Sequence, residues 1–383
     1  MPKLLVVANV ASMLREFLLP FAEHYTRLGW HVDAMVGETT TVADTGKELD
    51  IYGTIHRVAW SRNPLDPRNF LQAPRTIREV VAKENYDLIH VHAPISAFIA
   101  RYALRNVKNH PPLIYTAHGF HFYKGGSPVE NKIFLTLEQT AGPWTDHLVV
   151  MNREDEQAVR THKIVPEHKL TYMPGIGVDI KKYSPERASE EDVKKARAEL
   201  GLKENERFFL MIAEFNPRKR YRDALNAFAL LDRPDIFLVT AGVGPLEEKM
   251  KALARQLGIA ERVKFLGYRR DIPVLLKAAS GLLLPSEREG LPRAILESLC
   301  MGTPVISTQI RGVEDLLADG CGLMTPVGDA PALAKAVAQL LDNPEEAKAM
   351  AKRGQEHVKT FDLANVIRLH DALYARALQG RNR

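Results

Sequence analysis

The sequence predicts an α/β protein made of two successive halves, each a parallel sheet flanked by helices. Three observations carry this. The chain has 383 residues, more than one hydrophobic core usually supports. Short apolar runs alternate with amphipathic stretches, the pattern of βα units. The alternation breaks at a charged stretch and then restarts.

The first half opens with Leu4 to Val10, a buried first strand. Its apolar run resembles a signal peptide, but Arg15 and Glu16 follow at once and no processing signal stands out. Further strands are predicted at His31 to Val36, Leu88 to Val91, Leu113 to Thr116 and His147 to Met151, with helices at Phe17 to Leu28, Pro74 to Glu84 and Asn131 to Thr140. From Lys181 to Arg207 the chain is dense in charge and poor in large apolar residues, which predicts a linker with one exposed helix. Strands resume at Phe208 to Ala213, Phe237 to Ala241, Val263 to Leu266, Gly281 to Pro285 and Pro304 to Ser307. A last helix, Leu363 to Leu378, has no strand after it. The expected domains are 1–180 and 181–361, with 362–383 a helix that crosses back to the first.

Composition narrows the function. Lys and Arg total 52 against 47 Asp and Glu, a net charge of +5 without any block of like charge. An anionic substrate or an acidic membrane surface fits this as well as nucleic acid does, and nucleic acid is not the first choice. Cys300 and Cys321 are too few for a disulfide framework and lack metal-site spacing, which suits a reducing cytoplasm. No run approaches the roughly 18 to 20 apolar residues of a membrane span, so membrane contact is expected to be peripheral.

The stretch Pro285 to Ile306, PSEREGLPRAILESLCMGTPVI, is the most informative. A strand ends in a polar turn, and Pro292 stands where a helix starts. Amides near Gly290 and Leu291 then form an anion site at the carboxyl end of a parallel sheet. Glu289 on the loop and Glu297 in the helix can accept hydrogen bonds from the hydroxyls of a sugar and a ribose. The same residues also allow a simpler reading, with Glu297 paired to Arg293 and Glu289 solvated. In AEFNPRKRYRDAL, Arg218, Lys219 and Arg220 precede a helix and offer fixed positive charge, or a solvated basic loop. Val243, between Gly242 and Gly244, belongs to a third such loop, a weak signal on its own.

The first half supplies histidines. His90 and His92 fall on one strand face, and His118 and His121 follow the strand LIYTA. They could form a metal site, but no local carboxylate accompanies them. His118, directly after the strand and before Gly119, is the better candidate for a polar group at a cleft.

Together these residues resemble the retaining glycosyltransferases of family 4, and the likeness covers nearly the whole chain. Its hallmark is a Glu-x7-Glu element, matched by Glu289 and Glu297 with the EGLP turn, the later GTPVI and the segment Arg311 to Glu314. The resemblance implies the GT-B fold, two Rossmann-like domains facing each other across a cleft, with the donor held mainly by the second. It implies that Glu289 contacts the transferred sugar, that Glu297 binds the nucleotide ribose, and that the Gly290 and Leu291 amides hold the diphosphate or the sugar. Lys219 matches the family's phosphate-binding Lys. The family's Arg position is Glu214 here, and Arg218 is the candidate substitute. GYRRDIP, around Arg269, looks like the base-binding loop; the glycine-rich first loop is changed to Val10, Ala11, Ser12, Met13. His118 matches the active-site His. HGFHFYKGG and TDHLVVMNREDEQA look more narrowly like bacterial capsule and exopolysaccharide enzymes, many of which extend polyprenyl-diphosphate-linked sugars.

The resemblance thus implies transfer of a hexose or N-acetylhexosamine from a nucleotide diphosphate sugar, UDP-linked, to a sugar hydroxyl on a lipid-linked saccharide, with retention. The donor is a co-substrate, and neither a metal nor a resident cofactor is called for. The expected place is the cytoplasm, peripheral at the inner face of the cell membrane, with Arg68 to Lys83 and Phe98 to Lys108 as basic, amphipathic stretches toward an anionic surface. Three other functions use the same residues: a sugar-nucleotide epimerase, a metal-dependent hydrolase built on the histidines, and a silent sugar-nucleotide-binding subunit.

Overall fold

The structure is a computed structural model and describes residues 1–38, 47–61, 63 and 66–381. The chain divides into two units, Met1–Ile176 with Ala364–Arg383, and Gly177–Leu363.

The described residues of the first unit form a parallel sheet of seven strands: β1 (Lys3–Val7), β2 (His31–Gly37), β3 (Ile55–Val58), β4 (Leu88–His92), β5 (Leu113–Ala117), β6 (His147–Val150) and β7 (Leu170–Tyr172). Their order is β3-β2-β1-β4-β5-β6-β7. Alternate residues of β1 feed opposite faces: Leu5 and Val7 join one core, Leu4 and Val6 the other. Covered on both faces, β4 and β5 are buried along their whole length; LIYTA is accordingly almost all apolar, whereas LIHVH buries two histidines that find hydrogen-bond partners inside. The first strand is shorter than expected. It ends at Val7, and the chain turns at Val10 through a π-helical turn, Leu14–Leu18, into the helix Leu19–Arg27.

The last helix, Leu363–Arg381, packs into the first unit from Ala364 onward. Leu373, Tyr374 and Ala377 join the core that holds Leu4, Val6 and Val149. Tyr374 stacks on Tyr25 at 4.8 Å, and His24 Nε2 lies 3.0 Å from Asp371.

The second unit repeats the plan with β8 (Arg207–Ile212), β9 (Ile236–Ala241), β10 (Val263–Phe265), β11 (Gly281–Leu284), β12 (Val305–Thr308) and β13 (Leu323–Thr325), in the order β10-β9-β8-β11-β12-β13, all parallel. The charged stretch Lys181 to Arg207 belongs to this unit, and the one helix expected in it is present and largely exposed. Its helix, Glu190–Glu199, begins with a capping box between Ser189 and Asp192 and buries Ala196. Lys277 ties it down by reaching Glu190 at 2.9 Å and the Ala188 carbonyl at 2.7 Å.

One expected surface cation is internal. Arg101, in the helix Pro94–Leu104, is 1% exposed. Its guanidinium donates to Glu138 at 2.8 Å, to Thr145 Oγ1 at 3.2 Å and to the Ala97 carbonyl at 3.0 Å, and lies over the Tyr115 ring. Tyr115 Oη donates to the other Glu138 oxygen at 3.0 Å. The sequence reading counted Arg101 among the cations of the amphipathic stretch Phe98 to Lys108, but the partner that buries it is 37 residues away. Removing one member of such a pair strands the other charge in the core. Arg101→Ala should therefore cost about 3–5 kcal/mol of folding free energy in urea denaturation; a loss under about 1 kcal/mol would mean that the pair is hydrated.

Candidate active site

In a parallel sheet every strand ends on the same edge, and in the second unit the strand order reverses between β8 and β11. Loops leaving the carboxyl ends of these two strands flank a crevice, the usual binding position of open α/β sheets. They are Ala213 to Arg220 and Pro285 to Pro292. The Glu287 amide donates to the Arg218 carbonyl at 2.9 Å, and Lys219 Nζ donates to Glu289 Oε1 at 2.5 Å. Arg220 reaches Asp223 and, at 3.4 Å, Glu287.

Two neighbouring loops press onto this pair where only glycine fits. A Cβ on Gly242 would stand 1.9 Å from the Ala213 carbonyl oxygen. At Gly312, with φ +74°, a Cβ would stand 1.9 Å from the Gly290 carbonyl oxygen. Beside it Arg311, 6% exposed, donates to the Glu289 carbonyl at 3.4 Å. The Gly242 and Gly312 contacts join four loops of one sheet edge into one wall.

The helix Arg293–Met301 starts immediately after Gly290 and Leu291, with Pro292 as its N-cap rather than its first residue. Glu297 is 6% exposed and receives Arg293 Nη2 at 3.1 Å. Burial raises its pKa above the ordinary carboxylate value; Arg293 and the Tyr183 hydroxyl act against that shift. The i−4 pairing with Arg293 is thus present, and Tyr183 joins it from the stretch that sequence treated as the start of a linker.

Arg218 is exposed and has no ion-pair partner among the described residues, whereas Glu214 is exposed and accepts from Asn216 Nδ2 at 2.8 Å. Val243 is 51% exposed. Arg269 is held by carboxylates on both sides, Asp271 at 2.6 Å and Glu199 at 2.5 Å, and its pKa is raised further by them. Sequence reasoning missed Ser286 and Asn216. Ser286 is fully buried, and neither its hydroxyl nor Asn216 Oδ1 has a hydrogen-bond partner among the described residues. Both stand in the two loops that flank the crevice, and nothing in their sequence context signals it.

In the first unit, His92 at the end of β4 and His118 just past β5 share a hydrogen bond of 3.0 Å between Nδ1 and Nε2 respectively. His90 bonds to Tyr374 Oη and Thr116 Oγ1 at 2.6 and 2.7 Å. His121 lies apart, against Phe134. Among the described residues no group of three or more His, Cys, Asp or Glu is placed to hold a metal. Burial lowers the pKa of His118 to about 4.

Of the two amphipathic stretches, Arg68 pairs with Asp66 at 2.7 Å and Arg75 with Glu79 at 2.8 Å. Phe70, Phe98, Tyr102 and Trp144 form an aromatic cluster, and Leu71 beside it is 71% exposed. No helix among the described residues is long and apolar enough to cross a membrane.

Comparison with known proteins agrees with this architecture over both units. A family model described as Glycosyltransferase Family 4 matches residues 17–182, and one described as Glycosyl transferases group 1 matches residues 192–357. A protein named as the glycosyltransferase EpsD of Bacillus subtilis is 30% identical over 371 residues, covering 95% of this chain and 94% of its own. The chain belongs to glycosyltransferase family 4.

A further relative of this family-4 enzyme is the UDP-Gal:alpha-D-GlcNAc-diphosphoundecaprenol alpha-1,3-galactosyltransferase of Escherichia coli, 29% identical over 274 residues and 70% of each chain. Among solved structures, Anabaena HepE in complex with UDP and glucose aligns with a TM-score of 0.80 at 20% identity, covering 98% of this chain and 100% of its own. WaaG, a glycosyltransferase involved in lipopolysaccharide biosynthesis, gives 0.77 at 19% identity, covering 97% and 99%. The fold is GT-B, built of two Rossmann-like domains.

The Glu297 shift has a testable sign. Its folded pKa lies above the unfolded one, so ionised Glu297 costs stability once pH rises through the carboxylate range. Glu297→Gln should raise Tm at pH 8, and the gain should shrink as pH falls toward 4. A lower Tm for the variant at pH 8 would show that the Arg293 pair outweighs the desolvation of the carboxylate.

Proposed function

We propose that this enzyme transfers a hexose or N-acetylhexosamine from a UDP-linked sugar to a sugar hydroxyl, on a polyprenyl-diphosphate-linked saccharide for a surface polysaccharide, with the anomeric configuration retained. The observation that carries this reading is the Lys219–Glu289 pair at the β8/β11 crevice, next to the start of a helix. A cation, a carboxylate and a helix N-terminus at one sheet edge suit a ligand that is a diphosphate on one side and a polyol on the other.

In this reading Lys219, Arg218 and the amides at Gly290 and Leu291 stabilise the negative charge that grows on the departing diphosphate. Glu289 accepts hydroxyls of the transferred sugar and Glu297 those of the ribose, while Val243 and the Arg269 loop line the nucleotide. The bond between anomeric carbon and diphosphate oxygen breaks, the acceptor oxygen bonds to the same face of that carbon, and its proton passes to the departing diphosphate. His118 touches the transferred sugar or the acceptor. The reaction needs no resident cofactor and no metal, because fixed cations serve the leaving group.

Support for the donor comes from the UDP complex of HepE, and support for the acceptor from the E. coli relative that acts on a diphosphoundecaprenol-linked sugar. Such an acceptor brings the enzyme to the inner face of the cell membrane as a peripheral protein. The exposed Leu71 and the basic residues of the two amphipathic stretches suit an anionic surface, where each juxtamembrane cation contributes on the order of 1 kcal/mol.

Lys219→Ala should lower kcat by roughly a hundredfold, as loss of one preorganised group facing a developing charge does, and Arg218→Ala should lower it by about tenfold or more. Glu289→Ala should lose turnover while UDP still binds in calorimetry, and Glu297→Ala should lose UDP affinity. Full activity of Arg218→Ala would remove Arg218 from the site; equal loss of UDP affinity in the two Glu variants would mean that their roles are misassigned.

The membrane contact is tested by sedimentation with anionic vesicles. The protein should pellet at low salt and release at high salt, when screening shortens the reach of surface charges to a few ångströms. Reversing Arg75, Arg78 and Arg105 to Glu should abolish pelleting, and pelleting that survives the reversal would dispose of this surface.

A further inference from the structure

The polar interior of the first unit contains an arrangement that the reading above does not use. His92 is 4% exposed and belongs to β4, whose neighbour β5 pairs Thr116 with it in register. Its ring lies 4.1 Å from that of His90, which is itself clamped between Tyr374 and Thr116. Directly after His92 the chain makes a sharp turn at Ala93, with φ +70° and ψ 142°, a conformation that side-chain-bearing residues rarely adopt. Ser96 Oγ holds the turn by donating to the His92 carbonyl at 2.6 Å, and the Ser96 amide donates to Asn9 Oδ1 at 3.2 Å. The His92 backbone is thus held by Ser96 and its ring lies between those of His90 and His118, with Nδ1 3.0 Å from Nε2 of His118.

A hydrogen bond between two imidazoles contains one proton, and its owner decides what the second ring shows to a substrate. Burial pushes the pKa of His90 and His92 well below the ordinary histidine value and that of His118 and His370 to about 4, so near neutral pH each ring has one N–H and one lone pair. His92 Nε2 has no hydrogen-bond partner among the described residues. Either placement of the shared proton leaves one ring with an N–H that no group among the described residues accepts, and His118 is the more exposed of the two rings, so that N–H belongs on His118 and the proton of His92 is on Nδ1, in the bond. His118 Nε2 is then the acceptor, and the one proton of His118 is on Nδ1.

We propose that His92 is a positioning residue that locks His118 as its Nδ1–H tautomer, so that His118 meets the sugar as a hydrogen-bond donor and not as a base. This rests on the reading that His118 serves the transfer reaction. A donor there holds a sugar oxygen in place. It cannot take the proton of the attacking hydroxyl, which leaves that proton to the departing diphosphate.

The test uses the full-length enzyme with 15N-labelled histidine and long-range 15N–1H correlation, His118 being assigned by its loss in His118→Ala. The wild type should show His118 protonated on Nδ1, a result that needs no variant. In His92→Leu, His118 should move toward the Nε2–H form and kcat should fall by about tenfold or more through lost orientation, while UDP affinity stays within about twofold. His92→Asn keeps an N–H near the position of Nδ1 and should restore both the tautomer and most of the rate, which a packing role of the ring would not explain. An Nε2–H tautomer in the wild type, or no tautomer change in His92→Leu, overturns the proposal. A tautomer change with unaltered kcat also overturns its catalytic half, and then the fault lies with the role given to His118 and not with the bond from His92.

Discussion

Everything at the proposed donor site depends on one constraint, that a parallel sheet delivers all its carboxyl-terminal loops to one edge. Where the strand order reverses at β8 and β11, the loops that leave these two strands stand at the usual ligand position of such sheets, and here the Glu287–Arg218 backbone bond and the Lys219–Glu289 pair join them. The remaining features follow from closing the wall around that position. Gly242 and Gly312 let adjacent loops come within reach of backbone carbonyls, and Arg311 ties the Glu289 carbonyl from behind. The Lys219–Glu289 pair is thus presented by backbone fixed on several sides, the condition under which a charge needs little reorganisation when a diphosphate develops.

How much of this the sequence disclosed depended on burial. The central strands β1, β4, β5, β8, β9 and β11 are covered on both faces and read as apolar runs. The outer strands β3, β7 and β13 did not, because IHRV, LTY and LMT are short and only partly buried. The sequence placed Glu289 on a loop and Glu297 in the helix that follows, and the structure has them there. The sequence did not disclose Tyr183 above Glu297 or the buried hydroxyl of Ser286, because tertiary neighbours leave no periodic trace. Arg101 was misplaced for the same reason. Its neutralising partner Glu138 is on another helix, and local charge pattern alone suggests a surface.

The two units distribute polarity in opposite ways. In the second, cations and carboxylates stand at a sheet edge, half-buried and still able to meet a charged ligand. In the first, the strand ends contain uncharged rings and hydroxyls linked in sequence from Tyr374 through His90 to Thr116, and from His92 to His118. Charge would be costly there, since desolvation dominates the pKa of every one of these histidines. The last helix contributes to this interior, and its Tyr374 ties the C-terminus to the strand that carries His92.

The central claim is that the nucleotide of the donor lies against the carboxyl edge of the second sheet. Photo-crosslinking of the full-length enzyme with an azido-uridine analogue of UDP-glucose, followed by peptide mapping, tests it most directly. The account predicts labelled peptides from 213–220, 242–246, 267–271 and 285–297, with labelling suppressed by excess UDP. Labelling that is competed by UDP but confined to residues 1–176 would contradict it.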